Sequence, residues 1–214
     1  MSPRALIFDW DNTLVDSWDA IHHALVVTFT AMGHAPWSLA ETKARVRLSL
    51  RDAFPSLFGA RWEEARNLYL DTFTATHLER IAPAAGAGEL IAAAAARGHF
   101  LAVVSNKTGP VLRREAAHLG WTRFFVRLVG AGDATSDKPA AAPIHLALEG
   151  SGINAGDGVW YVGDTALDME CAANSGCRAV LIGAPDPADP GFVRFPPALN
   201  FPECAALSRH LRGL

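Results

Sequence analysis

The fold is decided by the stretch Ala5-Leu-Ile-Phe-Asp9-Trp-Asp11-Asn-Thr13-Leu-Val-Asp16, in which four apolar residues run directly into two carboxylates. A short apolar run of this kind is typical of a strand that is buried on both faces of a parallel sheet. The carboxyl end of such a strand opens into the crevice where open α/β sheets bind ligands. Two carboxylates repel each other there, by roughly 4 kcal/mol at a separation of ~4 Å and an effective dielectric constant of ~20. We therefore expect the chain to supply a compensating cation, which would be a metal ion, a lysine or both.

Downstream of residue 89 the sequence alternates between helical and strand-like segments. Strands are predicted at 100–104, 126–129, 159–162 and 178–182, with an edge strand near 198–200. Helices are predicted at 90–97, 108–118, 139–149 and 166–175, with a terminal helix from residue 202. The helix at 139–149 would carry Pro139 in its first turn, where proline is favoured. Strands separated by helices are typical of βαβ units, so we predict an α/β fold with a parallel sheet flanked by helices.

A segment of helical periodicity separates the first strand from the rest of the predicted sheet. Asp16 and Ser17 are suited to cap a helix that runs from about Trp18 to Met32. Further helices are predicted from residue 36, at 50–58 and at 61–80, and no strand is predicted between 35 and 82. Pro83 and the glycines that follow it mark the end of this insert. We therefore predict an α/β core from residues 1–15 and 84–214, and a small α-helical domain from residues 16–83.

Composition and charge exclude several classes of protein. Half of the 214 residues are apolar, and 19 basic against 22 acidic residues give a net charge of −3, which argues against a dedicated nucleic-acid binder. No apolar run reaches the length of about 18 residues that a membrane span requires. The apolar run before Asp9 is too short for a signal peptide, and the three cysteines lack C-x-x-C spacing. We therefore expect free thiols, a cytoplasmic location, no membrane or nucleic-acid partner, and a monomer or homodimer.

Residues of catalytic type follow three of the predicted strands, at the point where each strand ends. They are Asp9 and Asp11 after the first strand, Ser105 and Asn106 after the strand at 100–104, and Asp164 after the strand at 159–162. If these strands are parallel neighbours, the side chains meet at one edge of the sheet. Lys138, at the end of a polar loop, is a candidate for the cation that the carboxylates require.

Together these motifs resemble the haloacid dehalogenase superfamily of phosphoryl-transfer enzymes. The matches to its four motifs are Asp9-Trp-Asp11-Asn-Thr13 (D-x-D-x-T), Ser105-Asn-Lys107 after a strand, Lys138-Pro139, and Gly163-Asp164-Thr-Ala-Leu-Asp168 (G-D-x-x-x-D). They occur in the family's order and cover the chain from residue 4 to about 183. The resemblance implies a Rossmann-like core and identifies the helical insert with the family's C1-type cap. Asn12 departs from the glycine of many members, but asparagine also tolerates tight backbone conformations.

The resemblance implies a role for each motif residue in phosphoryl transfer. Asp9 would attack phosphorus as the nucleophile. Asp11 would protonate the leaving oxygen and then deprotonate the attacking water, which is help worth roughly 10²–10⁴-fold. Lys138 would supply positive charge to Asp9 and to the phosphoryl oxygens. Ser105, Asn106 and neighbouring amides would donate hydrogen bonds to the same oxygens.

The resemblance also implies Mg²⁺, because a carboxylate attacks an anionic phosphate ester only where charge is neutralised. Mg²⁺ prefers six oxygen ligands and takes few protein carboxylates. Asp9, Asp164 and the backbone carbonyl of Asp11 would suit it, together with waters. Asp168 lies one helical turn after Asp164 and would face the same site, as a ligand or as a hydrogen-bonding partner of the ligands.

Simpler interpretations exist for several of these residues. Lys138 could be a solvated loop lysine, Ser105 a strand-end cap and Asp168 a surface carboxylate. An EF-hand-like calcium loop is excluded in the first acidic cluster, because Leu14 stands where glycine is needed and Ala20 where the bidentate glutamate belongs.

Two arginines in the helical insert are candidates for substrate binding. Arg47 and Arg51 share a helix face if that stretch is helical, and could hold a substrate's carboxylate. A solvated face is the alternative for both.

Asp11 distinguishes among branches of the family, because dehalogenating members lack an acid–base aspartate two residues after the nucleophile. The favoured function is therefore a Mg²⁺-dependent phosphatase that acts on a small phosphorylated metabolite through an aspartyl-phosphate intermediate. The motifs around Ser105, Lys138 and Asp164 resemble those of phosphoglycolate-phosphatase-type members. The alternatives are a phosphosugar mutase on the same core and a catalytically silent regulatory protein.

Overall fold

The chain folds into two units, and the computed structural model describes residues 2–46, 48–185 and 188–214. An α/β unit consists of residues 1–15 and 83–214, and a helical unit of residues 16–82. Within the described ranges the strands are β1 (Ala5–Phe8), β2 (Val15–Asp16), β3 (Ala82–Pro83), β4 (Phe100–Thr108), β5 (Arg127–Ala131), β6 (Val159–Gly163), β7 (Arg178–Ile182) and β8 (Leu199–Phe201).

Helices occupy most of the remaining chain. Over the same ranges they are α1 (Trp18–Ala31), α2 (Leu39–Arg45), α3 (Leu50–Phe58), α4 (Trp62–Thr76), α5 (Ala87–Ala96), α6 (Gly109–His118), α7 (Ala142–Leu148), α8 (Ala166–Ser175), α9 (Pro190–Arg194) and α10 (Cys204–Arg212). In the part of the chain that is described, none of them combines the length and apolarity needed to cross a membrane.

One parallel sheet organises the α/β unit. Its strand order is β5-β4-β1-β6-β7-β8, and its neighbouring strands pair in parallel. The predicted α/β fold with a parallel sheet is thereby confirmed. β1 is central, and all four of its side chains are apolar and fully buried, as expected of a strand covered on both faces. β4 and β6 flank it, so that Phe8 lies beside Val103 and Val162.

The helical unit has an aromatic core of its own. Phe58 packs on Phe29 and Phe54, with ring centroids 5.2 and 5.0 Å apart, and Tyr69 continues the row from Phe54 to Phe73. The helices predicted for this segment are confirmed within a few residues. The last of them, α4, ends at Thr76 and a short 3-10 turn follows.

The loop after β5 differs from the sequence prediction. The helix predicted from Pro139 begins instead at Ala142, and the proline in its first turn is Pro143. Pro139 itself follows Lys138 through a cis peptide bond. A proline fixes only its own φ angle, which suits a helix start and a tight loop equally, so the sequence could not separate the two.

Short strands and helices also escaped prediction. β2 and β3 have two residues each and α9 has five, too few to display the periodicity on which a prediction rests. The prediction that no strand lies between 35 and 82 is therefore wrong at Ala82. β4 continues to Thr108, beyond the predicted end at residue 104, with a register shift against β5.

Candidate active site

The carboxyl ends of β4, β1 and β6 lie side by side at one edge of the sheet. Asp9 directly follows β1, Asp164 directly follows β6, and Ser105 directly follows the buried apolar part of β4. The backbone N–H of Asp9 donates to the carbonyl oxygen of Val162 at 2.8 Å, which extends the pairing of β1 with β6 by one residue. The expectation that the three strands are parallel neighbours is confirmed.

Lys138 joins two of the carboxylates at this edge. Its Nζ lies 2.8 Å from Asp9 Oδ1 and 2.7 Å from Asp168 Oδ1. Lys138 is only 4% exposed, so its interpretation as a solvated loop lysine is wrong. Burial alone would lower the pKa of Lys138, but the carboxylates of Asp168 and Asp9 outweigh burial and raise it. The ammonium therefore stays charged.

Asp168 lies at the centre of a hydrogen-bond network and is fully buried, not a surface carboxylate. Its Oδ1 accepts from Lys138 Nζ and, at 3.1 Å, from the hydroxyl of Tyr161. Its Oδ2 accepts from the backbone N–H of Thr165 at 3.0 Å and from the Thr165 hydroxyl at 2.7 Å. The first of these bonds and the bond from the Asp168 N–H to Thr165 Oγ1, at 3.4 Å, form the capping box of α8. Lys138 and the two donors of Thr165 occupy three of the roughly four lone-pair sites of the carboxylate. The Tyr161 hydroxyl shares its single proton between Asp168 Oδ1 and the carbonyl oxygen of Val104, which lies 2.9 Å away. A Cβ on Gly163 would collide with this carboxylate, which explains the glycine of the motif.

Asn106 holds the backbone of Lys138 from both sides. Its Oδ1 accepts from the Lys138 N–H at 3.0 Å, and its Nδ2 donates to the Lys138 carbonyl oxygen at 3.2 Å. Ser105 is buried beside it, and the Ser105 hydroxyl accepts from the N–H of Lys107 at 3.2 Å. The motif Ser105-Asn106-Lys107 thus lies against the motif Lys138-Pro139.

A second buried ion cluster lies beside Asp11, and sequence reasoning missed it. Lys107 Nζ lies 2.6 Å from Asp11 Oδ1 and makes two contacts with Glu115, at 2.8 Å to Oε1 and 2.6 Å to Oε2. The indole N–H of Trp10 donates to Glu115 Oε2 at 2.7 Å. The one available signal was Glu115 itself, a carboxylate on the apolar face of α6 beside Leu112.

Comparison with known proteins identifies the family. The sequence profile of the haloacid dehalogenase-like hydrolases matches residues 6–182. The chain belongs to this family.

The hydrolase also resembles individual proteins over most of its length. It is 32% identical over 185 residues to a phosphoglycolate phosphatase of Pectobacterium atrosepticum, which covers 83% of this chain and 79% of that protein. It is 29% identical to a 5′-nucleotidase of Pseudomonas aeruginosa, with 83% of this chain and 81% of that protein covered. A haloacid dehalogenase-like hydrolase from Streptococcus pneumoniae has the same fold, with a TM-score of 0.85 at 22% identity over 97% of this chain and 98% of that one.

The carboxylates of the hydrolase fit a divalent cation. Oxygens of Asp9, Asp164 and Asp168 lie within 4.8 Å of one another, and Asp164 accepts a hydrogen bond from the Thr13 hydroxyl at 3.1 Å. Burial raises the pKa of Asp9 to about 6, although Lys138 lowers it. Burial and the neighbouring carboxylates Asp168 and Asp9 raise the pKa of Asp164 well above its ordinary value. One ammonium cannot balance three carboxylates, and these are hard oxygen donors of the kind that Mg²⁺ binds.

The turn after β1 explains how the hydrolase accommodates Asn12. Its φ angle is 61°, in the left-handed region that glycine and asparagine adopt most readily. The N–H of Asn12 donates to the carbonyl oxygen of Val15 at 2.6 Å, which closes the turn. The expectation that asparagine serves here in place of glycine is confirmed.

The two arginines predicted as candidates for substrate binding are in the helical insert. Arg51 is the second residue of α3 and lies exposed on the helical unit. Its contact with a substrate stays a prediction. Arg47 lies outside the described residues.

Proposed function

We propose that this hydrolase is a Mg²⁺-dependent phosphatase that cleaves small phosphorylated metabolites through an aspartyl-phosphate intermediate on Asp9. The observation that carries the proposal is the buried contact of 2.8 Å between Lys138 Nζ and Asp9 Oδ1. A cation held against a carboxylate lowers the electrostatic cost of bringing that carboxylate to an anionic phosphate ester. The relatives named phosphoglycolate phosphatase and 5′-nucleotidase support the same class of reaction.

Asp9 and Asp164, with the backbone carbonyl of Asp11, are the residues that we propose to hold Mg²⁺. When bound, this ion supplies positive charge to the phosphoryl oxygens. Asp168 is the less suitable ligand of the three carboxylates, since hydrogen bonds from Lys138, Tyr161 and Thr165 already engage both of its oxygens. We propose that Asp168 instead positions Lys138.

The reaction proceeds in two displacements. In the first, a carboxylate oxygen of Asp9 bonds to phosphorus, the ester P–O bond breaks, and Asp11 gives its proton to the leaving oxygen. In the second, Asp11 takes a proton from a water whose oxygen attacks phosphorus, and the bond between phosphorus and Asp9 breaks. Inorganic phosphate is released, and both aspartates return to their starting protonation states.

The residues after β4 stabilise the charge that develops. The Ser105 hydroxyl lies at the same sheet edge as Asp9 and is proposed to donate to a phosphoryl oxygen, where transition-state charge spreads. Asn106 acts through Lys138, whose backbone it holds with two hydrogen bonds. A direct contact of Asn106 with the substrate stays a prediction.

The proposed substrate class rests on the relatives more than on the site. Their names specify phosphoglycolate for the one and 5′-nucleotides for the other, and both are alkyl phosphate monoesters. We propose phosphoglycolate as the first substrate to test. A phosphate on a small alkyl alcohol would need protonation of its leaving oxygen, which is the work proposed for Asp11.

The experiment is phosphate release from a panel of esters with and without Mg²⁺. The panel holds 2-phosphoglycolate, glycerol 3-phosphate, adenosine 5′-monophosphate, glucose 1-phosphate and p-nitrophenyl phosphate. We expect Mg²⁺-dependent turnover by the wild type, a loss of at least about 10³-fold in Asp9→Asn because no nucleophile remains, and normal turnover in the surface variant Glu149→Gln. A wild-type rate no higher than that of Asp9→Asn would refute the proposal.

The same panel separates the two alternative functions. A phosphosugar mutase would convert glucose 1-phosphate into an isomer without releasing stoichiometric phosphate. A silent regulatory protein would turn over none of the esters, with or without Mg²⁺.

A further inference from the structure

Lys107 is a buried cation that the proposed chemistry does not use. Its side chain is 6% exposed and that of Glu115 is fully buried, whereas the side chain of Asp11 is 21% exposed. Lys107 therefore lies between a fully buried carboxylate, Glu115, and a partly exposed one, Asp11. Asp11 is the carboxylate that transfers protons in the proposed reaction.

The contacts of Lys107 fix its orientation. An ammonium has three hydrogen-bond donors. The contacts with Glu115 Oε1, Glu115 Oε2 and Asp11 Oδ1 are 2.8, 2.6 and 2.6 Å long, one for each donor. Trp10, whose indole N–H donates to Glu115 Oε2 at 2.7 Å, is itself fully buried and packs against Trp121 with ring centroids 5.8 Å apart. Glu115, the anchor of Lys107, is thus itself held by a buried side chain.

The charge of Lys107 is consistent with this arrangement. Burial by itself would lower the pKa of Lys107, but the carboxylates of Asp11 and Glu115 outweigh it and raise the pKa, so the residue stays cationic. Asp11 needs no such partner for its own solvation, since it is partly exposed. A buried ion pair is favoured only where its geometry is good, and here the geometry aims one donor at Asp11.

We propose that Lys107, anchored by Glu115, is a positioning residue that holds Asp11 through Oδ1. The proton that Asp11 gives to the leaving oxygen of the substrate is then carried on the other carboxyl oxygen. This inference rests on the proposed phosphatase function and deepens it. Asp9 and Lys138 act on the phosphoryl group, whereas Lys107 acts only through Asp11 on the leaving group. Removal of Lys107 should therefore slow the hydrolysis of an ester more strongly when the leaving oxygen of that ester needs a proton.

The test compares two leaving groups. The ratio kcat/KM covers every step up to departure of the leaving group, and p-nitrophenolate departs without a proton whereas an alkoxide does not. In Lys107→Met we expect kcat/KM for the fastest alkyl phosphate of the panel to fall by about 10- to 100-fold, within the ~10²–10⁴-fold that acid–base help supplies. For p-nitrophenyl phosphate we expect a change below about threefold, because no proton is needed there.

Arg113→Met is the matched control. Arg113 lies on α6 near Glu115 and also pairs with a carboxylate, but its side chain is 45% exposed and its partner is Asp133, at 2.7 Å, rather than Asp11. We expect both esters to be hydrolysed at the wild-type rate. Lys107→Arg, which keeps the charge, should recover part of the alkyl phosphate activity.

Lys107→Met leaves the buried Glu115 carboxylate without its cation and can fail to fold. The double variant Lys107→Met/Glu115→Gln removes that charge, while the amide oxygen that replaces the carboxylate can still accept from the Trp10 indole. The same difference between the two esters is expected. An equal fall for both esters, or no fall for either, in a folded variant would overturn the inference. Absence of Mg²⁺-dependent turnover in the wild type would instead refute the proposed function.

Discussion

At the scale of single residues, the site is organised by two buried lysines that divide the carboxylates between them. Lys138 pairs with Asp9 and Asp168, and Lys107 pairs with Asp11 and Glu115. In each set one carboxylate is fully buried and the other reaches the site. In our proposal the buried partner holds the lysine, and the lysine in turn holds the aspartate that takes part in the reaction.

Asp168→Asn tests this division of labour in the folded state. The substitution removes the negative charge that faces Lys138. The new amide N–H₂ faces either the Tyr161 hydroxyl or the N–H and hydroxyl of Thr165, which are themselves hydrogen-bond donors. Lys138 keeps Asp9 as its ionic partner at 2.8 Å, so the cost comes from the buried donors that lose their acceptor. An unsatisfied buried donor costs about 1–3 kcal/mol, and we expect a loss of that size in the free energy of unfolding measured in urea without metal.

Glu149→Gln, which removes an exposed ion pair with Arg127, is the control, and it should change stability by less than about 1 kcal/mol. Equal effects of the two substitutions would contradict a central role for Asp168.

At the scale of elements, close approaches of backbone hold the second motif in place. β5 passes so near the start of α6 that a Cβ on Gly130 would collide with the Cα of Gly109 and lie 2.6 Å from the carbonyl oxygen of Lys107. The glycine therefore permits the contact that fixes the strand end carrying Lys107.

Gly130→Ala should destabilise the protein, because the added methyl group finds backbone and no flexible side chain in its way. Overpacking of this kind costs about 1–3 kcal/mol, which urea unfolding would measure. Gly88→Ala is the matched control. It makes the same chemical change inside α5, where the nearest atom would be 3.7 Å away on Trp121, and it should stabilise the helix slightly. The idea fails if both substitutions shift stability in the same direction.

At the scale of the whole molecule, the sequence predicted what depends on local pattern and missed what depends on tertiary contact. β1 and β6 are recognisable as continuous apolar runs and α8 by its helical periodicity, and polar motif residues adjoin all three. The sheet order then brought Asp9 and Asp164 together, as expected. The partnership of Lys107 with Glu115 could not be predicted in the same way, because nothing in the spacing of the two residues reveals which buried group each will face.

The division of the chain into two units leads to the last prediction. The sheet comes entirely from residues 1–15 and 83–214. The N–H of Ala84 donates to the carbonyl oxygen of Leu14 at 2.8 Å, so the two ends of the α/β unit are adjacent. We propose that residues 16–82 form a separate domain, and that a short Gly-Ser linker in their place leaves an α/β unit that folds by itself.

The shortened chain should unfold cooperatively in urea, with a smaller m-value because less surface is exposed on unfolding.

The shortened chain should also keep the proposed metal site, since Asp9, Asp164 and Lys138 all belong to the α/β unit. Mg²⁺ at about a hundred times its Kd would then add about 2.7 kcal/mol to the free energy of unfolding. The same chain carrying Asp164→Asn is the control, and it should lose most of this gain because one oxygen ligand is missing. A shortened chain without a cooperative transition would contradict the proposal that the α/β unit folds by itself. A cooperative transition whose free energy of unfolding does not change with Mg²⁺ would show that the carboxylates of the α/β unit do not by themselves form the metal site.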